Sequence, residues 1–195
     1  MKKNRCRRGI IMLVIGIMLL LLAGGWYTAN ILEDRAAGEY TVRILDNMDV
    51  SEELDIVVEG DDKPAVIVDE EAFCGRIVIE KLGMELPVFQ EWNYKKLKKA
   101  PCRYSGSVET QDMIVAAHNY KSHFGKINTL DNGDELVFID ASGETYYFEV
   151  KEILILDGSA VEDMSAGAWD FTLFTCTKGG KQRVVVRCES VSDEK

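Results

Sequence analysis

Cys176 ends the apolar run Thr172-Leu173-Phe174-Thr175, and after a short glycine turn Arg183 opens the run Val184-Val185-Val186. Upstream, Met113-Ile114-Val115-Ala116-Ala117 delivers His118 in the same way. Three groups suited to acyl transfer therefore stand at the edges of expected β-strands. Histidine and cysteine ionise nearest neutral pH, with unperturbed pKa values of about 6.5 and about 8.5. A thiolate can attack a carbonyl, an imidazolium can protonate the departing amine, and the thioester so formed waits for a second nucleophile. An arginine, permanently charged and carrying a fork of five donors, can hold the oxyanion or the substrate's carbonyls and favours the thiolate.

Taken singly, each residue also has an ordinary reading. A cysteine at a strand end is often a buried small hydrophobe, a histidine beside Asn119 can be a loop residue, and a strand-start arginine can face water. Of the two histidines, His118 directly ends the apolar run, whereas His123 reads as helix or loop. Arg183 lies nearest the cysteine. Arg187, four residues on, shares a strand face by period two, so spacing alone leaves it open as the cation.

The elements that must carry these groups follow from alternation and turn residues. Residues 76–80 and 84–89 read as strands joined by Lys81-Leu82-Gly83, and Trp92 to Lys99 as a brief helix stopped by Ala100-Pro101. Cys102 to Gln111 is expected to be loop, Asp112 to Ala117 a buried strand, and Tyr120 to Leu130 a short helical turn. Residues 135–139, 144–156, 170–175 and 183–188 supply further strands, with Gly158 to Trp169 as the longest irregular stretch between them. Many short strands with small helical insertions predict a closed or nearly closed β-barrel.

Residues 9–27 carry no charge. At about 1.5 Å rise per residue they nearly span a hydrocarbon core of about 30 Å, which predicts a transmembrane helix. Lys2, Lys3, Arg5, Arg7 and Arg8 precede it and Glu33 and Asp34 follow, so the N-terminus is expected in the cytoplasm and the rest outside the cell. No clean Ala-x-Ala follows Ala23-Gly24-Gly25, which favours an uncleaved anchor over a signal peptide. The expected organisation is a basic tail over 1–8, the membrane helix over 9–27, a stalk and acidic linker over 28–73, and a catalytic domain over 74–195. Ile31 to Met48 has helix-compatible spacing. From Asp49 to Glu71 acids are so dense that a solvated spacer is expected.

The first eight residues hold five of the 23 basic residues and none of the 33 acids, so the remainder has 18 bases against 33 acids, a net charge of −15. Such a field disfavours nucleic acid as a partner. The five cysteines, Cys6, Cys74, Cys102, Cys176 and Cys188, form no CxxC pair and are odd in number, which signals neither a zinc ribbon nor a disulfide framework. Cys176 is the working candidate, with Cys74, Cys102 and Cys188 as buried hydrophobes.

The stretch TLFTC followed by an arginine opening a valine strand, with IVAAHN upstream, resembles the sortase family of Gram-positive transpeptidases. The order His, Cys, Arg is also that family's order. AAHNYKSHFGKINTLDNGDELVF resembles its pattern around the histidine, and RIVIEKLGMELPV its first two strands, so the likeness runs from Cys74 to Glu189. The resemblance implies a mainly β fold, an eight-stranded barrel with short helices behind an N-terminal transmembrane helix. It further implies a thioacyl bond between Cys176 and the threonine of an LPxTG-like sorting signal of a surface protein. A peptidoglycan precursor or a pilin amine would then release the acyl group. His118 matches the general acid and base, Arg183 the oxyanion and substrate arginine, and Thr175 a residue lining the substrate site.

Six residues separate Cys176 from Arg183, Gly158 to Trp169 lacks room for the long helix of class B enzymes, and the aromatic lid of pilin polymerases is not evident. An anchoring enzyme is therefore expected rather than a polymerase. Some sortases use calcium. Glu109, Asp112, Glu162 and Asp163 lie in or beside expected loops without EF-hand spacing, so no cofactor is expected. Two other readings are an inactive barrel that binds peptide and a thiol hydrolase.

Overall fold

The computed structural model of the protein describes residues 2–50, 56–58, 64–165 and 167–192. It opens with one helix, α1 (Lys2–Val50), and divides into two units, residues 1–35 and 36–195. In the first unit the apolar side chains from Ile10 to Leu22 are largely exposed. Length and composition suit it to cross a membrane.

In the second unit the remainder of α1 becomes amphipathic. Ala37, Thr41 and Ile44 are buried at helical spacing, with Tyr40 and Met48 half-buried beside them. The strands follow as β1 (Ile56–Val58), β2 (Pro64–Val68), β3 (Glu71–Ile79), β4 (Met84–Phe89), β5 (Cys102–Ser105), β6 (Met113–Ala116), β7 (Glu135–Asp140), β8 (Thr145–Asp157), β9 (Phe171–Cys176) and β10 (Gln182–Val191). Two short helices, α2 (Tyr94–Leu97) and α3 (Val161–Ser165), interrupt them. The hydrogen-bonded order is β1-β2-β3-β4-β5-β6-β9-β10-β8-β7, and β7 pairs back onto β3. Strands β3 to β10 therefore close an eight-stranded barrel that hides its edges, with β1 and β2 appended as a hairpin.

The barrel wall separates two apolar clusters. Inside are Ile77, Leu86, Val115, Phe171, Leu173 and Val186, among others. The second cluster joins Ile44 of α1 to Val66, Phe73, Phe89, Leu97 and Ala116, with Phe174 packed against it. The alternation of β9 explains the split: Phe171 and Leu173 point to one face, Phe174 to the other.

Two segments differ from expectation. Cys102 to Ser105, expected to be loop, is β5, which pairs with β6 from Cys102↔Ala116 onward and touches β4 at Phe89↔Cys102. Four residues with two polar members show no period, so its strand character comes from its neighbours. The acidic stretch Asp49 to Glu71 is not spacer throughout, because Pro64–Val68 pairs with β3 and with β1. Its charges meet cations distant in sequence: Asp49 with Arg76 at 2.6 Å, Asp69 with Arg43 at 3.3 Å, and Glu71 with Lys96 at 3.1 Å and Lys99 at 3.3 Å. Residues 51–55 and 59–63 of that stretch lie outside the described residues.

Candidate active site

Strand pairing alone brings the three candidate groups to one end of the barrel. β6 and β9 run parallel with Ala116 opposite Phe174, and the pairing continues in a bond from Ala117 N to the Phe174 carbonyl at 3.2 Å. Two residues beyond that pair, along both strands, stand His118 and Cys176. On the other side β9 and β10 are antiparallel with Arg183 directly opposite Cys176. Adjacent strands lie about 4.8 Å apart, so the thiol has the histidine's strand on one flank and the arginine on the other.

Thr175 holds the first of these joints. It is buried, and its hydroxyl donates to the Ala117 carbonyl at 2.8 Å, tying the chain before His118 to the chain before Cys176. The family resemblance gives it a place in the lining of the substrate site; in this structure its side chain shares a β9 face with Phe171 and Leu173 and is spent on the Ala117 carbonyl. Thr175→Val should remove one buried hydrogen bond and cost about 1–3 kcal/mol. Chemical denaturation measures this, and Thr175→Ser, which keeps the hydroxyl, should recover most of it.

The four described cysteines are all free thiols. Burial pushes each of Cys74, Cys102 and Cys188 up to about 12, far from ionisation at neutral pH. Cys176 alone among the four is partly exposed. A nucleophile must meet its substrate, so exposure selects the cysteine that the sequence pattern also selects.

Two glycines with left-handed backbone, Gly179 (φ 94°) and Gly180 (φ 74°), make the β9–β10 turn, which is closed by Thr177 N donating to the Gln182 carbonyl at 2.9 Å. Arg183 folds over this turn, its Nη1 donating to the carbonyls of Gly180 at 3.0 Å and Gln182 at 3.2 Å. Both acceptors are neutral and the position is half-exposed. The bonds that Ser159 gives the Asp157 carboxyl hold it below its usual range, and the guanidinium also helps to do so.

Arg187 is engaged elsewhere. Its Nη1 contacts the Glu152 carboxylate at 3.0 Å, its Nη2 donates to the Asp163 carbonyl at 2.6 Å, and the guanidinium lies 5.6 Å from the Trp169 ring centre. It sits opposite Thr172, four residues from the Cys176 pair, or about 13 Å along the strand. That position pins the β8–β9 connection to β10. The register sets Arg183 opposite Cys176 and Arg187 opposite Thr172.

His118 is half-buried, with its ring 4.9 Å from that of Tyr120, whose ring lies 5.4 Å from that of His123. His123 is fully buried and precedes the 3-10 turn over Phe124–Thr129. Of the acids weighed for calcium, Asp112 accepts from the Ser107 backbone at 3.1 Å and from the Thr110 hydroxyl, while Glu162 and Asp163 lie on α3.

A closed β-barrel that carries a partly exposed thiol between a histidine-bearing strand end and an arginine defines a thiol-centred barrel protein. Comparison with known proteins narrows that class. The model of the sortase domain family matches residues 77–191. Among solved structures, sortase C1 of Streptococcus agalactiae is 25% identical with a TM-score of 0.56, over 66% of this chain and 72% of that one. Sortase C-1 of Actinomyces oris is 23% identical with a TM-score of 0.54, over 60% and 73%. A sortase D5 transpeptidase of Clostridium perfringens is 18% identical with a TM-score of 0.57, over 81% and 99%. No curated protein matches the sequence. The chain belongs to the sortase family, and membership places it among cysteine transpeptidases as a class.

Proposed function

We propose that this protein is a membrane-anchored cysteine transpeptidase in which Cys176 is the nucleophile, His118 the proton carrier and Arg183 the oxyanion and substrate cation. The observation that carries this reading is the strand register, which sets Arg183 opposite Cys176 and runs β6 toward His118 beside the end of β9.

In the first half-reaction the Cys176 thiolate adds to the carbonyl of the threonine in an LPxTG-like sorting signal. The bond to the following residue breaks, its nitrogen takes a proton from the His118 imidazolium, and a thioester remains on Cys176. In the second, an amine of a peptidoglycan precursor or a pilin adds to the thioester and gives its proton to His118, and the thiolate leaves. Arg183 faces the negative charge that develops on the carbonyl oxygen in both halves. These steps use protein side chains alone.

The apolar part of α1 would hold the enzyme in the cell membrane with the N-terminus cytoplasmic and the barrel outside, where surface proteins are attached. The solved relatives named above are class C and class D enzymes. Wall anchoring rather than pilus polymerisation remains the proposed task, on the absence of an evident aromatic lid motif in the sequence. The β8–β9 connection, held by Arg187, adjoins the Cys176 strand and is the proposed place for substrate discrimination.

The full chain in detergent, given a panel of sorting-signal peptides with triglycine or a diaminopimelate-containing amine, should exchange the amide. Mass spectrometry of the products separates the readings. Cleavage to the free acid alone would make the protein a hydrolase, and an intact panel bound without cleavage would make it a peptide-binding barrel.

A further inference from the structure

The loop that follows His118 is folded tightly on itself. Phe124 N donates to the His118 carbonyl at 3.2 Å, His123 N to the Tyr120 carbonyl at 3.1 Å, and Gly125 N to the same carbonyl at 2.8 Å. Tyr120, His123 and Phe124 are buried, and the rings of His118, Tyr120 and His123 lie in sequence at 4.9 Å and 5.4 Å. A close-packed loop of this kind has no slack in which a displacement at one residue can be absorbed.

One residue of this loop, Ser122, meets α1. A methyl group built on Gly38 would stand 3.3 Å from Ser122 Cβ, inside the roughly 3.5–4.0 Å at which carbon atoms rest. The neighbouring residues on the buried face of α1 are small or short: Ala37 and Thr41 are almost fully enclosed. Farther along, the same face carries the larger Ile44 and Met48 against the second apolar cluster. Tyr40 of the same turn packs on that cluster beside Phe89, so the close approach to the histidine loop is made at Gly38. Gly9, Gly16, Gly24 and Gly25 of the same helix would meet nothing within 4 Å if given a Cβ, so the approach of Ser122 sets Gly38 apart from them.

We infer that α1 at Gly38 is a positioning element for the proton carrier: through the contact of Gly38 with Ser122 it sets the packing of the Tyr120 and His123 rings and hence where His118 stands. The inference rests on the assignment of His118 above. It makes the helix a working part of the enzyme.

The test uses the full chain in detergent with Gly38→Ala, Gly38→Leu, Ser122→Gly and the Gly38→Leu/Ser122→Gly pair. The chain has two histidines, so carbon-13 labelling at ring Cε1 gives two signals, assigned by His118→Gln. Both Gly38 variants should move the His118 signal, leucine more than alanine, and Ser122→Gly should return it toward the wild-type position in the pair. On an LPxTG peptide with triglycine, Gly38→Leu should lower kcat about tenfold or more with KM changed less than about twofold, and the pair should recover to within about threefold of Ser122→Gly. In Gly38→Ala the helix preference of alanine offsets the pressure on Ser122, so the melting temperature should stay near that of the wild type while kcat falls, a combination that simple loss of folding does not produce.

A His118 signal unmoved by either Gly38 variant, or moved equally with and without Ser122→Gly, overturns the inference, as does a loss confined to KM. Ring signals need no substrate. A chain that keeps activity as Cys176→Ala sinks the catalytic reading, whereas a chain dead as Cys176→Ala with silent Gly38 variants sinks only this coupling.

Discussion

Cys176→Ala is expected to abolish turnover, by about 10⁴-fold or more as removal of a covalent nucleophile does elsewhere, while the barrel stays folded. The two halves of the expectation have separate physical causes. The thiol sits at the last residue of β9 and is partly exposed, so deleting its sulfur opens no core cavity. The melting temperature should therefore stay near that of the wild type. No other described thiol can take over, because Cys74, Cys102 and Cys188 are enclosed and held near 12 by burial. Trapping the thioester with a sorting-signal peptide and weighing the intact protein gives the direct measurement. An acyl adduct should form on the wild type and be absent from Cys176→Ala, and an adduct on the variant would remove Cys176 from the role of nucleophile.

How far the sequence reveals such a site depends on whether each residue's surroundings are local. His118, Cys176 and Arg183 were recognisable because each borders an apolar run, and a strand signal needs only its own residues. The closed barrel followed from many such runs. β5 escaped notice because Cys102 to Ser105 owes its pairing to β6 and not to its own alternation. The hairpin at Pro64–Val68 was hidden for a different reason: repulsion among its neighbouring acids was counted without Arg43, Arg76, Lys96 and Lys99, which lie far away in sequence and meet Asp49, Asp69 and Glu71 in space. The bond from Thr175 to the Ala117 carbonyl is likewise not legible in sequence, because its partner lies 58 residues away on a neighbouring chain segment. The helix-compatible spacing of Ile31 to Met48 is legible in sequence, whereas the burial of Ala37 and Thr41 and the loop beside Gly38 are not.

The two arginines of β10 give the sharpest separation between chemistry and architecture. Arg183→Ala should lower turnover by about 10²–10³-fold, the size expected for losing one preorganised donor to a developing oxyanion at about 3–4 kcal/mol. Its bonds in the free protein go to two turn carbonyls that solvent can reach, so the loss should barely move the melting temperature. Arg183→Lys should restore little, because a point charge on a flexible stem does not reproduce the guanidinium fork. Arg187→Ala should do the reverse. Its side chain is 12% exposed and joins Glu152, the Asp163 carbonyl and the Trp169 ring, so truncation removes charge-assisted bonds worth about 1.5–3 kcal/mol. For a chain of this size each kcal/mol shifts melting by about 2–4 °C, so a loss of several degrees is expected. Turnover should fall less than for Arg183→Ala, and chiefly through KM, since what loosens is the β8–β9 connection. Equal losses of kcat in the two variants would mean that the cation opposite the thiol is not the one that meets the oxyanion, and the strand register would then describe the barrel without describing its chemistry.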